Sequence, residues 1–239
     1  MRPEIAHSVF ESLGWVVAYL LYRRQRAHLG DVVSQSQRRW VTAAAIVGGL
    51  IGARLLHLLE EPARSAEFWT DPLFVAGGKT IVGGLIGGLI AVELVKKWRG
   101  VTVATGDVLA VPMCVGIAIG RVGCYLAGLP DGTYGLPTTM PWGVNFGDGI
   151  ARHPTQLYEI AFAVALAAVL IARRRSLAAV TGDAFKLFMS AYLLFRFLVD
   201  FLKPAAHLSG LSMIQWACLA TLAFYAPHLR RLASEVRHA

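Results

Sequence analysis

Seven apolar runs, each close to the length of a bilayer crossing, constrain this chain more than any other feature. They cover roughly residues 5–22, 40–59, 80–95, 106–126, 154–172, 183–202 and 211–227. A helix needs about 20 mostly apolar residues to span hydrocarbon, and only structures that satisfy their own backbone polar groups are stable there. The spacing predicts an all-α polytopic membrane protein of about seven transmembrane helices, forming a single integral membrane domain over residues 1–239. Composition agrees: 56% of residues are hydrophobic and 16% charged, where a soluble domain carries about 25% charged residues. The first run has neither a basic leader nor a small-residue cleavage site, so it reads as a membrane helix and not as a signal peptide.

The net charge of +8 is arranged as a topology signal and not as a nucleic-acid surface, so no nucleic-acid partner is expected. Fourteen positives fall on one set of connections: Arg23, Arg24, Arg26, Arg38 and Arg39, then Lys96, Lys97 and Arg99, then Arg173 to Arg175, then Arg230, Arg231 and Arg237. The other set holds five: Arg2, Arg64, Lys79, Arg152 and Lys203. Positive-inside bias places the N-terminus outside, the C-terminus in the cytoplasm and residues 127–153 in an outer loop. Cys114, Cys124 and Cys218 lie in apolar runs without CxxC spacing, so neither a disulfide framework nor a zinc site is expected. No phosphate-binding glycine loop is present. The expectation is a protein with no metal and no cofactor.

Against this background the charges inside the apolar runs stand out. An arginine at mid-bilayer costs about 2.5–3.5 kcal/mol on insertion scales and is retained where a partner, cavity or ligand offsets that cost. Arg121 lies within the fourth run, Arg196 and Asp200 within the sixth, and His153, Gln156 and Glu159 open the fifth. On the charge-derived orientation all sit toward the outer leaflet. The i, i+4 spacing of Arg196 and Asp200 predicts a pair on one helix face. Arg54, in the second run, reads as a snorkelling side chain. Between Gly120 and Glu159, Asp131-Gly132, Leu136-Pro137 and Gly147-Asp148-Gly149 are turn signals, and Trp142 fits an interfacial anchor. Glycine clusters at 48–52 and 77–88 allow close helix packing.

The segments GRVGCYLAG (120–128), DGTYG (131–135), PWGV (141–144) and RHPTQLYE (152–159) resemble the signature region of the prolipoprotein diacylglyceryl transferase family of bacterial inner membranes. The likeness extends to GARLLHLL at 52–59, VGGLIGG at 82–88 and RFLVDFLK at 196–203. It implies a seven-helix enzyme that moves the diacylglyceryl group of phosphatidylglycerol to the lipobox cysteine of a preprolipoprotein, releasing glycerol 1-phosphate. The implied partners are thus phosphatidylglycerol, the lipobox segment and membrane lipids. Arg121 and Arg196 fall on the family's phosphate-binding arginines, with His153 beside them as the catalytic set. Gly123, Cys124, Asp131, Gln156, Tyr158, Glu159 and Asp200 fall on or near its substrate-binding positions.

The departures from the family pattern are specific. Cys124 stands where the family has Asn, Leu129 where it has an acidic residue with Asp131 two positions on, and Leu13 where it has Tyr. Val82 replaces a histidine considered important for activity. A thiol with a free pKa of about 8.5 must lose its proton before it attacks carbon, so with Val82 in place the expected base is His153, and Cys124 reads as a packing residue. The alternative is a non-catalytic phospholipid-binding or lipid-moving protein that kept the phosphate site. Inverted repeats that would mark a solute transporter are not evident.

Overall fold

In a computed structural model that describes residues 3–60, 78–204 and 208–237, every one of the seven apolar segments is helical. The helices are α1 (Pro3–Leu29), α2 (Gln35–Glu60), α3 (Ile81–Trp98), α4 (Asp107–Ala127), α5 (Thr155–Ala172), the short α6 (Arg174–Leu177), α7 (Asp183–Val199) and α8 (Met213–Arg237). By length and apolarity, Ile5–Leu29, Gln35–Glu60, Asp107–Ala127 and Thr155–Ala172 can each cross a membrane. The chain is an all-α membrane protein. Its helices turn Trp15, Leu50, Leu94 and Phe224 outward while Arg121, Gln156, Glu159 and Gln215 are buried, the arrangement expected where charged groups face the interior of a membrane bundle. Arg2 and Arg64, counted above among the sparse positives, lie outside the described residues.

Helix α1 runs seven residues past its apolar segment. Arg and Gln are good helix formers, and Arg23 and Arg26 lie over the Tyr19 and Tyr22 rings at 5.9 and 5.6 Å. Helix α2 starts five residues before its apolar segment because Ser34 and Gln37 form a reciprocal capping box. The Gln37 N–H donates to Ser34 Oγ (3.3 Å) and the Ser34 N–H to Gln37 Oε1 (3.1 Å).

The chain divides into two units, residues 1–31 with 104–204 and residues 32–103 with 205–239. In the second unit α2 packs on α3 through glycines. A Cβ at Gly52 would strike Gly83 and Gly87, and one at Gly48 would strike Gly87 and Ala91. Thr80 caps α3 by accepting from the Gly83 N–H at 3.1 Å. Arg54 donates to the Gly78 carbonyl, so this arginine is engaged with backbone and not simply snorkelling. A second Ser-x-x-Gln box, Ser212 with Gln215 (3.0 and 2.9 Å), starts α8, and Glu60 accepts from the Ile214 N–H at 2.6 Å. Val82 is buried in this unit.

In the first unit α4 is the central element, in contact with α1, α5 and α7. Gly14 meets Gly116 so closely that a Cβ would lie 2.8 Å from the Gly116 carbonyl oxygen. Asp107, at the start of α4, accepts from the Gly182 N–H (2.5 Å) and the Phe185 N–H (3.0 Å), and so holds the start of α7. The loop from α4 to α5 is folded. It forms a 3₁₀ turn at Leu129–Asp131 and a two-residue antiparallel ribbon, Val144–Asn145 with Ala151–Arg152. The turns expected at Asp131-Gly132 and Gly147-Asp148-Gly149 are present, with Gly132, Gly147 and Gly149 at positive φ. Leu136-Pro137 is a correction. It is extended, with Pro137 bridging Arg152 and the Leu136 N–H donating to the Leu202 carbonyl at 2.7 Å. A proline offers no N–H, so it fits a strand edge as readily as a turn.

Candidate functional site

Four buried charges of the first unit, Arg121, Glu159, Arg196 and Asp200, form one network. Arg121 and Cys124 lie on one face of α4, Tyr192 and Arg196 lie one turn apart on α7, and Asp200 follows four residues on, where α7 passes into a 3₁₀ turn. Glu159, one turn into α5, joins the two. Its Oε2 lies 2.9 Å from Arg121 Nε and 3.2 Å from Arg196 NH1, while Oε1 accepts from Tyr192 OH at 2.5 Å. Arg196 NH2 donates to Asp200 Oδ1 at 3.3 Å, the intrahelical pair the spacing predicts. Glu159 is 1% exposed. Burial of a lone carboxylate would be prohibitive, and two guanidinium groups with a tyrosine hydroxyl supply its compensation.

The arginines retain unused donors. Arg196 Nε has no hydrogen-bond partner among the described residues, and Arg121 Nε contacts Glu159 without hydrogen-bond alignment. A planar guanidinium presents five N–H donors in a fixed fork suited to phosphate. Just past α7, partly buried Lys203 has its pKa pushed down to about 7, first by burial and then by Arg196 and Arg121.

A second cluster adjoins the first. Arg121 NH1 donates to Cys124 Sγ at 3.6 Å. Cys124 Sγ is 3.8 Å from Nδ1 of His7, near the start of α1. The same Nδ1 lies 2.6 Å from Asp131 Oδ1, and His7 Nε2 lies 3.4 Å from Glu11 Oε2. Thr133 then donates to Asp131 and accepts from Gln156 Nε2 at 3.3 Å. Gln156 Oε1 is buried without a hydrogen-bond partner among the described residues.

Of the residues named from sequence, Arg121, Glu159, Arg196 and Asp200 thus meet directly, and Cys124, Asp131 and Gln156 lie in the adjoining chain. Gly123 packs on α1, where a Cβ would come 2.7 Å from Phe10 Cβ. His153 and Tyr158 pair with each other at 3.0 Å (Nδ1 to OH), and Tyr158 also accepts from Trp142 Nε1 at 2.8 Å. Arg152 pairs with Asp148 at 2.7 Å, and that guanidinium holds the Asp148 carboxyl below its usual range. The residue sequence reasoning missed is His7. Its signals were the i, i+4 spacing with Glu11 and a place in an apolar run, but nothing local tied it to Cys124, 117 residues away.

Comparison with known proteins follows the same residues. The family model described as prolipoprotein diacylglyceryl transferase matches residues 6–228. The phosphatidylglycerol–prolipoprotein diacylglyceryl transferase of Geobacter sulfurreducens is 31% identical over 215 residues, 84% of this chain and 78% of that protein. That of Bordetella bronchiseptica is 31% identical over 219 residues, covering 85% and 81%. That of Clostridium tetani is 34% identical over 189 residues, covering 74% and 73%.

Proposed function

Because this chain belongs to the prolipoprotein diacylglyceryl transferase family across residues 6–228, we propose that it transfers the diacylglyceryl group of phosphatidylglycerol to a prolipoprotein thiol. The acceptor is the lipobox cysteine, and the second product is glycerol 1-phosphate. The observation that carries this reading is the buried Arg121–Glu159–Arg196 cluster. When the thiolate attacks the glycerol carbon, negative charge develops on the departing phosphate. Fixed donors in a water-poor setting stabilise that charge far better than solvent does. Glu159 keeps the two guanidinium groups together and neutralised before lipid arrives, and Asp200 orients Arg196. Gln156 Oε1 accepts from a hydroxyl of the headgroup. His153, held by Tyr158, positions the loop in this reading and is not the base.

The charge asymmetry of the connections supports seven spans in the bacterial inner membrane, with the N-terminus outside and residues 127–153 forming an outer loop of a single membrane domain. The site then opens toward the leaflet where secreted acceptors emerge. Complementation of a strain depleted of its own transferase, read with the mobility of a lipobox peptide, tests the assignment. Wild type and His153→Gln are expected to restore growth and shift the peptide. Arg121→Lys keeps the charge but loses the fork, and its rate should fall by about 10²–10³-fold. Binding of phosphatidylglycerol by wild type without any peptide modification removes the transferase reading.

A further inference from the structure

Gln156, near the start of α5, is 1% exposed, and its side-chain carbonyl oxygen has no hydrogen-bond partner among the described residues. A buried acceptor left unpaired is costly, and native folds keep few of them. We propose that His7, Asp131 and Thr133 form a one-way hydrogen-bond relay that holds Gln156 as an acceptor, so that a headgroup hydroxyl is the feature by which the donor lipid is selected. Gln156 touches the lipid, and the other three are positioning residues. The proposal rests on the transferase reading for the identity of the lipid, while the direction of the relay stands on geometry.

Each step of the relay fixes the next. His7 Nε2 lies 3.4 Å from Glu11 Oε2, and Nδ1 lies 2.6 Å from Asp131 Oδ1. With a carboxylate at each ring nitrogen, both nitrogens donate. An ionised carboxylate only accepts, so Thr133 gives its hydroxyl proton to the other oxygen of Asp131. Thr133 Oγ1 then has only lone pairs for its next neighbour, and Gln156 meets it with Nε2 at 3.3 Å. Reversing the amide would set two acceptors against each other, so Oε1 is held turned away from Thr133. Cys124 stays outside the relay. Its sulfur is 3.8 Å from His7 Nδ1 and accepts from Arg121 NH1 at 3.6 Å.

The relay is anchored at both ends. Thr155, beside Gln156 in the first turn of α5, donates to the Thr133 carbonyl at 2.6 Å, so the residue that orients the amide is tied to the same turn. The far end rests on α1 through His7. The contacts also lead back to the buried arginines. Gln156 and Glu159 are three residues apart on α5 and therefore neighbours on one helix face, and Glu159 Oε2 lies 2.9 Å from Arg121 Nε. A lipid phosphate at Arg121 and a hydroxyl at Gln156 are thus separated by about one helix turn, roughly 5 Å. The three-carbon arm of a glycerol headgroup covers that distance.

Such an arrangement sorts headgroups by their chemistry. Glycerol brings neutral O–H donors to Gln156 Oε1. A choline headgroup has neither N–H nor O–H to give it. An ethanolamine ammonium has donors, but it brings a further positive charge beside Arg121 and Arg196, where low dielectric strengthens the repulsion. A headgroup of glycerol length without hydroxyls leaves the acceptor unpaired. Sites built to hydrogen-bond a hydroxyl reject the analogue lacking it for that reason.

The test compares phosphatidylglycerol with phosphatidylpropanol, which has the same acyl chains and a three-carbon headgroup without hydroxyls. Lipid binding by the full-length protein in detergent and kcat/KM for modification of a lipobox peptide are both read. Wild type should favour phosphatidylglycerol by about 10–100-fold. Gln156→Met keeps the volume and removes the acceptor, and Thr133→Val removes the hydroxyl that orients it. Both should collapse the preference to within about threefold, and His7→Phe should lower it in the same direction. Thr133→Ser, which keeps the hydroxyl, should retain it. A merely structural role would weaken both lipids alike and leave their ratio unchanged. Equal use of the two lipids by wild type overturns the proposal, as does a wild-type ratio in Thr133→Val or His7→Phe. Absence of thioether from either lipid removes the transferase reading, and the binding ratio then decides the relay by itself.

Discussion

Glu159 is the residue on which the buried network depends. It neutralises two guanidinium groups at once, so Glu159→Gln leaves two buried cations facing one neutral amide. Breaking a buried pair by removing one partner costs about 3–5 kcal/mol. Glu159→Gln should lower thermal stability by that order in detergent and abolish transfer, whereas Asp148→Asn, at an exposed loop pair, should leave stability unchanged within about 0.5 kcal/mol. Equal stability of Glu159→Gln and wild type would deny the network its structural role. Lys203 gives the pH dependence. Its folded pKa of about 7 lies below the free value of 10.5, so from about 7 to 10.5 the unfolded chain binds more protons than the folded one. Stability should therefore rise with pH across that window, by at most about 1.4 kcal/mol per pH unit. The penalty is fully present below pH 7. Lys203→Met should be more stable than wild type at pH 6 and lose this slope, as read by denaturation at several pH values.

At the scale of elements, the site depends on how closely α1 approaches α4. Gly14 and Gly116 allow that approach, and it brings His7 to Cys124. Gly14→Leu forces new carbons against the Gly116 backbone, where overpacking costs about 1–3 kcal/mol. The expected outcome is a lower unfolding temperature in detergent. Gly120→Ala is the control. Its Cβ would meet nothing within 4 Å, and in a helix interior alanine is favoured over glycine by about 0.5–1 kcal/mol. An unfolding temperature of Gly14→Leu equal to that of wild type would show that this contact does not hold α1 against α4. The capping boxes at Ser34 and Ser212 serve a different end. They fix where α2 and α8 begin, so that neither helix start depends on its apolar run alone.

For the whole molecule, the proposed orientation is the testable quantity. Asp148 and Arg174 are both exposed and stand on opposite sides of α5, on the outer loop and the cytoplasmic connection of the proposed topology. In intact cells with a permeable outer barrier, Asp148→Cys should react with a membrane-impermeant maleimide and Arg174→Cys should not. Reversed labelling would invert the topology. The three native cysteines are buried, so their background labelling should be small.

Apolar run length determined the seven helices, because hydrocarbon leaves a chain no other way to satisfy its backbone than helix or closed barrel. The same penalty on charge made Arg121, Glu159, Arg196 and Asp200 conspicuous without a structure, and the i, i+4 rule was enough to pair the last two. Helix ends were less legible, since Ser34 and Arg26 act through local hydrogen bonds and ring contacts that hydropathy does not register. What only the tertiary structure decided was convergence. Glu159 bridges helices 38 and 37 residues away in sequence through Arg121 and Arg196, and His7 reaches Cys124 only because glycines let α1 and α4 pack closely. The sequence put forward His153, which pairs with Tyr158; the histidine beside Cys124 is His7, which has no motif around it and becomes visible only once α1 and α4 are packed together.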